Sequence, residues 1–163
     1  MKTTNLVTAL QKLSFTQGLS KAYRQFLADI SVEARFNAGH VFFREGEPGT
    51  VLYLVRKGRV AIEIPVPGRG RISILTVGPG EIFGWSSLFA ASGKTAGARA
   101  VEDTITVAID AGKLMRACHK DAKLGFEIML RVVRVVEARL QVTRLQLLDV
   151  FAPRDAESEK KKS

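Results

Sequence analysis

The chain has 163 residues, 46% of them hydrophobic and 25% charged, with a formal net charge of +9, which fits one ordinary globular domain able to bury a core. No apolar run reaches the roughly 18 residues that a bilayer-spanning helix needs. A single cysteine, Cys118, excludes an internal disulfide and any multi-cysteine zinc or iron–sulfur site. The opening "MKTTNLVTALQKLSF" has no apolar block followed by a small-residue cleavage site. A cytoplasmic protein is therefore expected.

The positive charge is spread along the chain. Arg56, Lys57 and Arg59 fall together, as do Arg69 and Arg71; Arg131, Arg134, Arg139 and Arg144 lie in a late helical pattern, and Lys160 to Lys162 near the end. No aromatic residues interleave with them as a base-stacking platform requires, so solvated faces are expected rather than a nucleic-acid surface.

The first 35 residues read as helical. Leu6, Val7, Leu10 and Leu13 recur at helical spacing, and Tyr23, Phe26, Leu27 and Ile30 repeat the pattern after "TQGLS". From Phe36 to Asp110, β-rich runs ("HVFF", "VLYLVR", "RVAIEIPV", "RISILTV", "TITVAI") alternate with Gly- and Pro-rich breaks, which predicts a small β-barrel or sandwich rather than a βαβ sheet. Asp110 is placed to cap a short helix, and Asp121 a longer one reaching about Val150. Residues 36–150 are expected to form the domain, with strands over 36–110 and helices over 111–150. The polar stretch 151–163 is expected to be a disordered tail.

The late helix carries two apolar stripes. Met129, Val133, Val136, Leu140, Thr143, Leu147 and Val150 alternate four and three apart, the spacing of a helix–helix seam. Ile128, Val132, Val135, Val142 and Leu145 form the second. One stripe can cover the barrel and leave the other for a parallel homodimer through residues 129–150. Alternatively, both pack within one chain, against the N-terminal helices.

The stretch "PGEIFGWSSLF" carries the candidate chemistry. Gly84 lets the backbone approach an anion, and residues 85–89 begin a short helix whose leading amides favour negative charge. Lys94 is the candidate cation to neutralise a phosphate. Phe83, Gly84, Trp85, Ser86, Ser87, Lys94 and Thr95 are the expected ligand-binding residues. His40 and His119 lack a third ligand at metal spacing, and no histidine lies near Ser86 or Ser87 in sequence, so neither a metal nor a catalytic reaction is expected.

These motifs, in order, resemble the cyclic-nucleotide-binding domain of catabolite activators, kinase regulatory subunits and gated channels. "FNAGHVFFREGEPGTVLYLVRKGRVAI" is similar to that family's opening pattern, and "GPGEIFGWSSLF" with "GKTAGARA" to its phosphate-binding cassette. The resemblance covers about residues 36–150. It implies an α+β, mainly β fold: a double-stranded β-roll of jelly-roll type, flanked by N-terminal helices and a long C-terminal helix. It also implies a regulatory sensor taking cyclic AMP or another cyclic nucleotide. The family's Phe-Gly-Glu triplet and later arginine fall on Trp85 and Lys94, with Arg99 matching a second basic residue. Losing the glutamate removes about 1.5–3 kcal/mol, roughly 10- to 100-fold in affinity. Lysine keeps the charge but not the planar two-pronged grip. Trp85 can fill the pocket, swing outward or stack on a ring.

"EARLQVTRLQLLDV" resembles the long helix of the activator members, in which a threonine after "RLQV" contacts adenine across the dimer; that threonine falls on Thr143, while the partner-supplied serine is replaced by Arg144. About a dozen residues follow Val150, too few for a helix-turn-helix, so no DNA-binding domain is expected in this chain. Two functions remain open: a sensor for a phosphate-bearing ligand, and a ligand-independent docking module with Trp85 in the pocket.

Overall fold

The computed structural model describes residues 3–89 and 93–151. Helix α1 (Thr3–Gln11), a 3₁₀ turn (Ser14–Thr16) and α2 (Lys21–Asp29) lead into strands β1 (Ser31–Phe36), β2 (Val41–Phe43), β3 (Val51–Lys57), β4 (Val60–Val66), β5 (Gly70–Val77) and β6 (Ile82–Phe83). A second 3₁₀ turn (Trp85–Leu88) precedes β7 (Gly97–Ala100) and β8 (Thr104–Asp110), and α3 (Ala111–Lys120) and α4 (Ala122–Phe151) follow. The strands make two four-stranded antiparallel sheets, ordered β1-β8-β3-β6 and β2-β7-β4-β5. This is the expected roll flanked by helices.

One expectation about its start is corrected. Helix does not extend to residue 35: it ends at Asp29, and Ser31–Phe36 pairs with β8 from Ser31↔Ile109 to Phe36↔Thr104. Val32, Ala34 and Phe36 alternate with Ser31, Glu33 and Arg35, a period of two that the preceding helical pattern masks.

Alternation along β3 divides the protein into two cores. Leu52 and Leu54 join Leu10, Leu27, Leu114 and Ile128 on the helix side, whereas Val55 and Tyr53 face Phe43, Val60 and Phe83 inside the roll. Tyr53 stacks on Phe83 inside the roll with ring centroids 4.8 Å apart.

The expected caps form. Asp110 accepts a hydrogen bond from the Lys113 amide at 2.8 Å, and Asp121 from the Lys123 and Leu124 amides at 3.0 and 3.1 Å. The start of α4 buries Leu124, Ile128 and Val132. Farther along, Val133, Val136, Leu140 and Leu147 are exposed, as are Val142 and Leu145 of the second stripe. Phe126, one heptad before Val133, is 67% exposed and lengthens the open seam. Among the described residues the two stripes are therefore not both packed within the chain. The Val150 side chain and the tail from residue 152 lie outside the described residues.

Candidate functional site

The cassette begins where β6 ends. Gly84 takes φ 72°, and a Cβ there would approach the Val51 carbonyl to 3.2 Å and Lys94 Nζ to 3.3 Å, so both conformation and space favour glycine. The next four residues make only one 3₁₀ turn, with the Ser87 amide donating to the Gly84 carbonyl at 3.0 Å. So short a turn contributes little macrodipole, and positive charge at the site comes mainly from side chains.

Lys94 supplies one such charge. It is 4% exposed, and its Nζ donates to the Gly84 carbonyl at 3.1 Å and to the Ser87 hydroxyl. The ammonium also lies 4.4 Å from the Phe43 ring centroid, a cation–π contact. Its backbone is clamped to the loop after β2: the Lys94 amide donates to the Glu47 carbonyl at 2.9 Å, and the Gly46 amide to the Lys94 carbonyl at 2.7 Å. A Cβ on Gly49 would collide with Lys94 Cε and Nζ and come within 2.7 Å of Ser87 Oγ. Gly49 thus makes room for the buried lysine. Among the described residues the amine's hydrogen-bonding partners are neutral, and burial pushes its pKa down to about 8.

A cavity of about 40 Å³ opens beside this amine, with Phe43, Gly84, Trp85, Ser86, Thr95 and Arg139 among its walls. The structure thus gathers Gly84, Trp85, Ser86, Lys94 and Thr95 around one space. Ser87 reaches it through its bond to Lys94. The Phe83 side chain instead belongs to the core inside the roll, and Thr143 is exposed, its hydroxyl donating to the Arg139 carbonyl at 2.9 Å. Trp85 packs on the helix-side core and meets Phe89 edge-on at 6.3 Å, making a wall of the cavity. Arg99 is engaged with buried Glu63, Nε to Oε1 at 2.9 Å.

Arg139 was not anticipated in the site. It projects from α4, donates to the Ile82 carbonyl, and has its pKa lowered by burial. Its sequence signal is faint: it stands one helical turn before Thr143 in the "RLQVT" run. On its other side lies a groove of about 550 Å³ between α4, β5 and the first 3₁₀ turn. The groove is bridged by a 2.8 Å hydrogen bond from Gln146 to the Ile74 carbonyl. Ile74 is skipped where the β4–β5 register shifts between Glu63↔Ser73 and Ile62↔Leu75, a bulge that leaves its carbonyl to the helix.

The two-sheet roll, the turn after β6 and the closing long helix define a class, and comparison with known proteins agrees. The chain belongs to the cyclic nucleotide-binding domain family, whose model matches residues 33–121. It is 35% identical over 117 residues to a CRP-like cAMP-activated global transcriptional regulator of Mycobacterium tuberculosis, covering 71% of this chain and 50% of that protein. The chain thus spans about half the length of this curated relative. Among solved structures, a cyclic nucleotide-binding domain from Methylobacillus flagellatus superposes with a TM-score of 0.77 at 20% identity, covering 94% of this chain and 86% of that one. The catabolite activator protein of Thermus thermophilus gives 0.67 at 25% identity, covering 85% and 63%. Among the described residues no helix is long and apolar enough to cross a membrane.

Proposed function

We propose that this domain is a non-catalytic sensor. A cyclic nucleotide or another small phosphate-bearing ligand binds at Gly84–Ser87, Lys94 and Thr95, and the event passes to α4 through Arg139. The observation that carries this reading is that the cavity beside Lys94 is closed in part by a residue of α4. At about 40 Å³ it is far below the roughly 300–1,000 Å³ of small-molecule sites. A nucleotide gains room when Arg139 leaves the Ile82 carbonyl, so occupancy and helix position are linked. The exposed seam from Phe126 through Val133, Val136 and Leu140 gives that movement an output as a homodimer contact.

The test is titration of cyclic AMP, cyclic GMP and cyclic dinucleotides, following fluorescence of Trp85, the sole tryptophan, alongside calorimetry. A saturable change is expected. Absence of both signal and heat at millimolar ligand would overturn the sensor reading.

A second reading, ligand-independent docking, draws on one observation: the Lys94 amine already has two acceptors and an aromatic face. It predicts an intact dimer that no ligand alters. Trp85→Glu with Lys94→Arg separates the two, because restored cyclic AMP binding shows that the cavity can open.

A further inference from the structure

The Lys94 amine combines three properties that a phosphate grip alone does not require. It is buried, its hydrogen-bond acceptors are a carbonyl and a hydroxyl, and among the described residues no carboxylate lies within ion-pair distance. With a pKa near 8, a fraction of the amine is neutral and nucleophilic at physiological pH. The other charged group on the same cavity is Arg139, which feels the charge of Glu81 but has no carboxylate within ion-pair distance among the described residues.

The size of the cavity selects the electrophile. About 40 Å³ is three times the roughly 10–15 Å³ that one water needs, room for about three heavy atoms. While Arg139 holds the Ile82 carbonyl, larger acyl donors do not fit beside the amine, and Lys94 is only 4% exposed. Carbon dioxide has three heavy atoms and reacts with neutral amines.

We propose that Lys94 is a reversible carbamylation site, its amine capturing carbon dioxide in this cavity to give a carbamate whose charge is balanced by Arg139. The Nζ lone pair forms an N–C bond, one C–O π pair moves onto oxygen, and a proton leaves Nζ for solvent. Nothing is oxidised or reduced, and reprotonation of nitrogen with N–C cleavage reverses the step. Ser86 and Thr95, which also line the cavity, carry hydroxyls that can donate to the new oxygens. Conversion of cation to anion draws Arg139 from the Ile82 carbonyl, so α4 responds to carbon dioxide independently of any nucleotide.

The experiment incubates the full chain with ¹³C-bicarbonate at about pH 8, traps carbamates by alkylation with a trialkyloxonium salt, and maps them by tandem mass spectrometry. The expected result is labelling at Lys94 at least ten-fold above the exposed Lys57, its loss in Lys94→Arg, and a several-fold reduction in Arg139→Met. Arg139→Lys, which keeps the charge should the methionine variant misfold, is expected to retain more label than Arg139→Met. Labelling of Lys94 no greater than that of Lys57 overturns the proposal, as does labelling unchanged in a folded Arg139→Met protein.

Discussion

Glu63 and Lys94 are the charged residues buried among the described ones, and the fold treats them in opposite ways. Glu63 on β4 meets the Arg99 guanidinium across the β4–β7 pair, so each charge has a counter-ion, and the pairing raises the Arg99 pKa further. Lys94, ahead of β7, meets a carbonyl, a hydroxyl and a ring. A buried ion that is paired has a structural explanation. An unpaired cation beside a cavity instead stores an unfavourable term that an incoming anion, or loss of the proton, can relieve.

The sharpest way to break this contrast is to remove the unpaired charge. Lys94→Met is expected to raise stability by about 1–3 kcal/mol at neutral pH while abolishing any ligand response, a trade of function for stability. Denaturant unfolding checks the first part and Trp85 fluorescence the second. The pH dependence has a definite sign. Below about pH 8 the folded chain carries the ammonium at a penalty that the unfolded chain lacks. Between about 8 and the ordinary lysine value of 10.5, the unfolded chain holds the proton that the folded chain has released. The Lys94 contribution to stability therefore rises across that window and levels off above it. Burial raises the pKa values of Tyr53 and Cys118, which gives contributions of the opposite slope. Subtracting the Lys94→Met curve from that of the unaltered protein isolates the lysine.

Glu63→Gln tests the paired side and should act in the other direction. Arg99 keeps 43% of its side chain exposed and can be resolvated, so the loss is expected near 1–2 kcal/mol rather than the 3–5 of a fully buried pair. A stability gain in Glu63→Gln would erase the distinction between the two sites.

The contrast also shows what local sequence can and cannot reveal. The strand runs, the caps at Asp110 and Asp121 and the cassette from Gly84 to Lys94 are local patterns, and the chain declares them directly. β1 was hidden because its alternation follows a helix without a Gly or Pro break, and β6 because two residues are too short to show a period. Arg139 and Gly49 became visible only in three dimensions. Arg139 matters because α4 lies over Ile82, 57 positions earlier, and Gly49 because Lys94 passes through the space a Cβ would occupy. Trp85 was legible as an anomaly, but its packing against the helix-side core was not.

The exposed seam supplies a test of the output side. Val136→Glu with Leu140→Lys should leave the fold intact and shift sedimentation from dimer to monomer, since both positions are open on the chain itself. Phe126→Ser should weaken association less, because it sits at the end of the seam. An unaltered protein that already sediments as a monomer overturns the homodimer reading of the seam.

The smallest expected effect bears most directly on how the unpaired charge is held. Ser87→Ala removes one of the two hydrogen-bond acceptors that the described residues give the Lys94 ammonium, leaving the Gly84 carbonyl and the Phe43 ring. The charged form loses support that the neutral form needs less, so the Lys94 pKa should fall below its value of about 8. Stability at neutral pH should drop by about 1 kcal/mol, and the alkaline rise in stability should begin earlier. Gly49→Ala provides the counterpart, because its methyl displaces the flexible end of Lys94 rather than backbone. The amine then moves toward solvent, its pKa returns toward the ordinary lysine value, and the pH profile should resemble that of Lys94→Met although the lysine remains. If Gly49→Ala instead retained the full alkaline rise, the buried position of the amine would not be the origin of its behaviour.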